Sequence, residues 1–466
     1  MNSLTMTGPG PDSNRCPAPG SGLHRTPVHD SIVAGTRTFT GVRGTPPGLH
    51  LAVTDLADRE DRPWQVERQT FGTSWEGPEP ARRAAEGEAV ERFCNGVPPA
   101  NERLWYGSYA DLVRSGRSAP EPQRLVLYSA RQYATPGFPF QPFLEDSPAH
   151  WIEGRIATSG EPIHVPAFLV YTAWQRMPRE HGEPLYAFPA IGGVAAGPTA
   201  EYALVSGLEE VIERDAVAVW WANAKPLPAL EPTARLRALT AGVCQDFEVR
   251  YAHIDNEFAV PVLAAGVRSV AEGWLTYGFA ARADPAEAAE KALAEAFTLQ
   301  LTCRTLDSSG AAPQTPGRRS PLKRRRADRR YLDSYRSDCS DVVEQLCHQQ
   351  LYLDRRAGDR VAPWAWDLPA GRWSDLPSLP SRNADALLAR AADAGYQAIC
   401  VDLTTPEAAA SGMSGVRVVV PGLVGTAPAA YPALGGRRLQ DAAVRLGWRD
   451  LALDEDQLNT FPVPHC

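Results

Sequence analysis

No stretch of this chain approaches the roughly 18 apolar residues that a bilayer-crossing helix requires. Its opening residues, MNSLTMTGPGPDSNRCPAPGSG, carry no apolar run of signal-peptide length. The expectation is therefore a cytoplasmic protein with no membrane partner. The eight cysteines (Cys16, Cys94, Cys244, Cys303, Cys339, Cys347, Cys400, Cys466) form no CxxC pair and fall at scattered spacings. Neither a zinc ribbon nor a disulfide framework is expected, and reduced thiols are the plain reading. Cys347-His348 near Cys339 hints at a metal, but a helix face that happens to carry them is the simpler account. Basic excess is also missing: 47 Lys and Arg face 55 Asp and Glu, a net charge of −8. That argues against nucleic acid as a partner, since phosphate binding needs positive charge.

What is present has an ordinary globular balance. Hydrophobic residues make up 44% and charged residues 22% of 466, enough for one large domain or two smaller ones. Residues 1–28, rich in Gly, Pro and Ser without periodicity, read as disordered. A second break covers about 307–329, DSSGAAPQTPGRRSPLKRRRADR. Its basic run at 323–326, with Arg329 and Arg330, has the look of a nuclear-localisation or nucleic-acid patch. A solvated flexible loop is the preferred reading, and a contact for an acidic peptide or partner is a third. Between the breaks, strand and helix patterns alternate. RLVLYSA (124–130) and HVPAFLVYTAW (164–174) read as strands, and VRVVVPGLVG (416–425) reads as a strand stopped by Pro421 and Gly422. Helices are expected at about 80–95, 199–221, 284–303 and 384–395, the last ending at Gly395. The class is mixed α/β, with no solenoid-type repeat.

One pattern occurs twice. Residues 88–92 read Glu88-Ala-Val-Glu91-Arg92, and residues 210–214 read Glu210-Val-Ile-Glu213-Arg214. On a helix, a spacing of three sets both carboxylates on one face about one turn apart. In the second helix Leu204, Leu208, Val211 and Ile212 form the apolar stripe, and Ser206, Glu210, Glu213 and Val217 form another. The acids are thus expected off the core, with no lysine nearby to pair them. Such a ridge suits Mg²⁺, which takes carboxylate oxygens together with substrate phosphates, and the arginine can hold a phosphate oxygen. A solvated face with an incidental ion pair is the competing reading. Gly87 and Gly207, small enough to permit close approach, tilt the balance without closing the question.

The surrounding residues go further. ARRAAEGEAVERFC, GGVAAGPTAEYALVSGLEEVIERDAVAVWW and DPAEAAEKALAEAFTLQL resemble, in order, the three ATP-binding motifs of the YcaO family. GVRVVVPGLVGTAPAAYPALGGRRL and the ending FPVPHC resemble the C-terminal region of its azoline-forming members. The likeness spans about 30–466. It implies a YcaO-type domain over 29–466 with mixed sheets and packed helices, a flexible basic loop and a proline-containing tail at 461–466. It implies Mg²⁺ on Glu88, Glu91, Glu210 and Glu213, and ATP contacts from Arg214, Ser206, Glu201 and Glu295. It implies that the tail reaches the active site, with His465 or the terminal carboxylate of Cys466 as base and Pro462 and Pro464 stiffening the segment. A fraying chain end is the opposing expectation.

The activity implied is ATP- and Mg²⁺-dependent cyclodehydration. A Cys, Ser or Thr side chain of a ribosomally made precursor peptide attacks the preceding carbonyl. The oxyanion takes the γ-phosphoryl group, and loss of phosphate leaves a thiazoline or oxazoline. Without a fused adenylating-enzyme-like domain, the chain is similar to the discrete cyclodehydratases of thiopeptide-type pathways. That implies a separate leader-peptide-binding partner and a downstream flavin-dependent azoline dehydrogenase; a homodimer is a further possibility. The family's pattern is broken at Ala195, Pro198, Tyr202, Thr298 and Gln300, with Arg304 one turn on. These departures motivate a second reading, a non-catalytic peptide-binding or scaffold subunit. A third, thioamide formation, fits the proline-bearing tail less well.

Overall fold

The computed structural model describes residues 28, 30–58, 60, 62–64, 67–189, 192–308, 320–367 and 369–465. Three sheets make up the mixed α/β fold. Strands β1 (Val33–Thr40), β2 (His50–Leu56) and β3 (Gln69–Ser74) form an antiparallel meander with β3 at one edge. Strands β4 (Leu104–Gly107), β5 (Ala149–Ile156), β6 (Pro162–Pro166) and β7 (Val194–Gly197) begin a second sheet. The third holds β8 (Ala229–Leu230), β9 (Phe247–His253), β10 (Val262–Ser269), β11 (Leu275–Ala281) and β12 (Ala370–Gly371), with β11 at its edge. Far along the chain β13 (Ile399–Asp402) and β14 (Ser414–Val419) complete the second sheet, in the order β4-β5-β13-β14-β7 with β6 on β5.

Three helices knit these sheets together. Helix α1 (Pro78–Gly96) lies across the meander, with a proline in its first turn where no N–H is needed. Gly72 of β3 makes the approach possible: a Cβ there would stand 2.2 Å from the Ala81 carbonyl oxygen. Helix α3 (Pro285–Ser308) lies on β11 in the same manner, where a Cβ on Gly278 would stand 2.0 Å from the Ala292 oxygen. In both places a threonine two residues earlier bonds the helix backbone, Thr70 to Ala85 O at 2.7 Å and Thr276 to Ala296 O at 2.9 Å. Helix α2 (Ala200–Asn223) is capped by the Thr199 hydroxyl, which accepts from Tyr202 N at 3.1 Å. It runs between the second and third sheets and buries residues on several sides, Leu208, Ile212, Val217 and Trp220 among them. Each fully buried side chain of this size contributes about 1.5–3 kcal/mol. Gly207 permits the contact with β14, since a Cβ would meet Val418 Cγ2 at 2.7 Å; Gly87 has open space and serves no such approach.

Several local expectations need correction. Residues 124–130 form no strand: a 3-10 turn (Pro122–Arg124) precedes an unladdered segment and a short helix (Ala130–Tyr133). At 164–174 the strand stops at Pro166, which has no N–H to donate, and a one-turn helix (Ala167–Val170) follows. An apolar run this short does not distinguish strand from buried helix. The strand expected to stop at Pro421 and Gly422 does so: it runs from Ser414 to Val419, and Gly422 has a φ of +96°. The basic run is not a free patch. Lys323 pairs with Asp341 at 2.5 Å, Arg326 with Asp328 at 2.7 Å and Arg329 with Asp307 at 2.6 Å. The disorder expected at 1–27, the loop's centre at 309–319 and the terminal Cys466 lie outside the described residues. Among the described residues no helix is long and apolar enough to cross a membrane.

Candidate active site

Four helix carboxylates are oriented by outward-pointing backbone N–H groups at or beside sheet edges. Glu88 of α1 accepts from Phe71 N at 3.1 Å, and Glu210 of α2 from Gly193 N, just before β7, at 2.9 Å. Glu213 accepts from Ala281 N at 3.3 Å, and Glu295 of α3 from Phe279 N at 2.9 Å. In each case Oε2 takes the backbone bond, and Oε1 is turned towards a cation or imidazole. Glu88 Oε1 lies 3.1 Å from Arg92 Nη2, and Glu210 and Glu213 Oε1 lie 3.6 and 3.5 Å from the Arg214 guanidinium. Glu295 Oε1 lies 3.9 Å from His465 Nε2. The two ExxER motifs therefore meet. Glu91 feels the charge of Glu210 as well as Glu88, and Arg214 feels Arg92.

The structure corrects one feature of the sequence reading. The second acid pair is not a solvated ridge, for Glu213 is buried, and so is Val217 of the same stripe. Packing of β11 against α2 covers this face. Burial pushes the Glu213 carboxyl up to about 7, with Glu295 and Glu210 adding repulsion against the pull of Arg214 and Lys291. Burial likewise pushes Glu91 up to about 8, with Glu210, Glu88 and Glu67 acting against Arg92. Other acids of these helices are occupied structurally. Glu209 is held by Arg282 at 2.8 Å and Arg382 at 2.9 Å, and Asp215 pairs with buried Arg438. Ser206 Oγ accepts from that same Arg382 at 2.9 Å. Glu201 stands exposed in the first turn, nine residues and about 13 Å along the axis from Glu210. These two are not brought into the carboxylate group.

The tail is ordered against the edge of β11. Tyr277 N donates to Pro464 O at 2.8 Å, so outward N–H groups at 277, 279 and 281 take Pro464, Glu295 and Glu213 in turn. Successive partners are spaced about 6.8 Å apart by the strand rise. Tyr352 donates to Pro462 O at 2.7 Å, and Trp221 donates to Phe461 O at 2.6 Å. His348 bonds Val463 O at 3.1 Å through Nδ1 and accepts from Ala429 N at 3.0 Å, which is what Cys347-His348 does in place of metal binding. His465 is buried. Its Nδ1 faces Tyr277 O at 3.0 Å, a carbonyl that can only accept, so Nδ1 carries the proton. Nε2 is then the acceptor for Arg214 Nη1 at 2.5 Å. Burial and the Arg214 charge hold the imidazole below its ordinary value against the opposing pull of Glu295, so it is neutral.

Two cations escaped the sequence reading. Arg417 is buried on β14 inside an apolar strand run, and Glu210 and Glu91 face it; burial lowers it to about 10. Lys291, one turn before Glu295 on α3, faces Glu213 and Glu295. Its i, i+4 spacing to Glu295 was the available signal. Gln300 and Arg304 are used structurally: Gln300 bonds Val267 O and Thr276 Oγ1, both at 3.0 Å, and Arg304 bonds the Arg43 carbonyl.

Among the described residues no three His, Cys, Asp or Glu side chains converge as a ready-made metal cage. The donors come as carboxylate pairs, and Glu88, Glu210 and Glu213 each have one oxygen fixed by backbone and the other turned inward. That fits Mg²⁺, which is held by one or two carboxylates and completed by phosphates and water.

Residues 76–424 match the family model described as YcaO cyclodehydratase, ATP- and Mg²⁺-binding. The chain belongs to the YcaO family, whose ATP and Mg²⁺ are its cofactors. No curated protein matches it. Among solved structures it resembles a heterocyclase in complex with substrate and cofactor, with TM-score 0.69 and 21% identity, covering 93% of this chain and 55% of that one. It resembles the heterocyclase TruD, with TM-score 0.59 and 23% identity over 82% of this chain and 50% of that one. It also resembles YcaO from Methanopyrus kandleri bound with AMPPCP and Mg²⁺, with TM-score 0.57 and 21% identity over 84% of this chain and 89% of that one. At these identities the likeness is one of fold, and the chain spans about half the length of the first two.

Proposed function

We propose that the chain is an azoline-forming cyclodehydratase acting on Cys, Ser or Thr of a ribosomally made peptide, working with a separate leader-binding partner and ahead of a flavin-dependent dehydrogenase. One observation carries the reading: the two ExxER motifs meet, with Glu91 facing Glu210 and Arg92 facing Arg214, and the C-terminal tail delivers His465 to Arg214. The reaction balances as peptide plus ATP giving azoline, ADP and phosphate. The substrate thiol or hydroxyl attacks the preceding carbonyl carbon, and the amide oxygen departs with the γ-phosphoryl group. Mg²⁺ held by Glu88, Glu91, Glu210 and Glu213 supplies charge neutralisation at the phosphates.

The protein's own groups do the rest. Arg214 turns its guanidinium from His465 to a phosphate oxygen. That frees the Nε2 lone pair, while Tyr277 O keeps the proton on Nδ1 and fixes the tautomer. Nε2 then takes the proton leaving the attacking group. The pairing of Pro464 with β11 holds the imidazole at this position.

Mass spectrometry of a candidate precursor incubated with ATP, Mg²⁺, the chain and its partner tests the proposal. A loss of about 18 Da per ring, one water in an ATP-driven step, is the expected result. Glu213→Gln should abolish it and leave the fold intact, because Gln keeps an acceptor for Ala281 N. Full ring formation by that variant removes the metal assignment. The use of Gln300 and Arg304 as structural groups favours a second reading, a peptide-binding scaffold. Mg-ATP affinity separates the two, since a scaffold binds none with or without its partner.

A further inference from the structure

A pocket opens beside the carboxylate group. Its inner end is formed by Gly192, Arg214 and Arg417, and half-buried Tyr128, Phe188 and Tyr431 line it further out. The inner end abuts the metal-binding set directly, for a Cβ on Gly192 would lie 3.2 Å from Arg214 Cγ and 3.7 Å from Glu210 Oε1. The aromatic wall is built rather than incidental. Tyr128 stacks on Phe140 at 5.0 Å, and Tyr431 stands edge-on to Phe140 at 5.1 Å and near-parallel to Phe188 at 6.0 Å. The lining includes arginines and no acidic side chain.

We propose that this pocket receives the side chain of the residue immediately before the cyclising one in the substrate peptide, selecting an apolar or aromatic side chain and rejecting a basic one. The inference rests on the cyclodehydratase reading. The carbonyl that is attacked belongs to that preceding residue, and its side chain departs from the atom bonded to the reacting carbon. An amide oxygen placed among Arg214, Arg417 and the acids therefore directs that side chain into the adjoining recess. An adenine ring is separated from the γ-phosphorus by a ribose and two phosphate groups, so a recess in contact with Glu210 suits the acceptor. A lysine or arginine side chain would meet Arg124, Arg214 and Arg417 in the lining, and the acids behind that wall, Glu210 and Glu213, already face Arg214.

The test uses the full chain with Mg-ATP and the capped peptides acetyl-Ala-Xaa-Cys-Ala-amide, with Xaa as Gly, Leu, Phe or Lys. Phe and Leu should exceed Gly by about tenfold in kcat/KM, as expected for burying one such side chain, and Lys should fall below Gly. Ala427→Trp, which fills the pocket, should erase the preference and leave the Kd for Mg-AMPPNP unchanged. Tyr431→Ala, which opens it, should reduce the preference. A flat series with ring formation intact overturns the pocket assignment alone, as does an Ala427→Trp variant that loses nucleotide rather than peptide. Absence of turnover with every peptide and with a precursor plus partner counts against the cyclodehydratase reading instead. The pocket is then read by photocrosslinking, using the same peptide with p-benzoylphenylalanine at Xaa and Ala for Cys. Labels at 124–128, Phe188 or 427–433 support it, and labels confined elsewhere overturn it.

Discussion

Binding of a magnesium nucleotide should expel protons from this protein. In the free chain burial and mutual repulsion raise Glu91 to about 8 and Glu213 to about 7. Both are thus partly or largely protonated near neutrality, whereas a cation is bound by the carboxylate form. At pH 7.5 those values leave roughly one proton on the two acids together. At pH 6 the figure approaches about two. Each proton released adds about a tenfold gain in affinity per pH unit. The Kd for Mg-AMPPNP should therefore fall steeply from pH 6 to 8 and level off above about 8.5. Calorimetric titrations in buffers of different ionisation enthalpy count the protons directly. Saturating Mg²⁺ keeps the nucleotide's own terminal phosphate ionised and out of the count. Glu91→Gln and Glu213→Gln should each reduce the release. A binding enthalpy independent of buffer, or undiminished release in Glu91→Gln, refutes the reasoning.

Four further outcomes follow from named positions. His465→Ala, or deletion of residues 462–466, should lower ring formation by about 10²-fold or more with little change in nucleotide Kd; an unchanged rate in the deletion excludes a catalytic tail. His348 is buried between Val463 and Ala429, and its burial depresses it to about 4. The unfolded chain takes up this proton first, so stability falls as pH drops from 6.5 towards 4. The loss is on the order of 3 kcal/mol, and urea melts of wild type and His348→Gln at pH 7.5 and 4.5 should differ by that slope. Gly278→Ala should destabilise by about 3 kcal/mol through overpacking against α3. Gly87→Ala, with open space around it, should stabilise by up to about 1 kcal/mol, both read as denaturation midpoints.

Local rules carried the helices. Thr199 as N-cap, Pro285 at a helix start and the 3.6-residue periodicity give three of the four expected boundaries to within a few residues, although α3 runs on to Ser308. The ExxER pairs and the proline-bearing tail were legible for the same reason, since their chemistry lies within one short segment. What was not legible depends on chain elements far apart. Glu213 reads as a surface acid until β11, some 68 residues later, covers it and offers Ala281 N. Arg417 sits in an apolar strand pattern, and only the crossing of α1 and α2 beneath it shows that acids face it. The segment 124–130 has strand composition but finds no ladder partner. One signal was present and unused: Thr70-Phe71-Gly72 and Thr276-Tyr277-Gly278 share a spacing, and each threonine–glycine pair receives an alanine-rich helix.

The edge geometry, together with Arg92, Arg214, Arg417 and Lys291, holds the acids close together. An exposed edge strand presents unpaired N–H groups that invite association with another chain. Here the β3 and β11 edges turn those groups inward, where Glu88, Glu213 and Glu295 accept them, and the tail takes the next one at Tyr277. The backbone bond fixes the plane of each of these carboxylates, and at Glu295 it favours the charged form. It also leaves one oxygen of each facing the centre, oriented before ligand arrives. Glu91 is the informative contrast: it is the most strongly raised acid of the group, with Arg92 as the principal opposing charge. The same edges thus close the sheets to further pairing and set the carboxylate spacing, so a substitution that moves β11, such as Gly278→Ala, should disturb nucleotide binding and tail docking together.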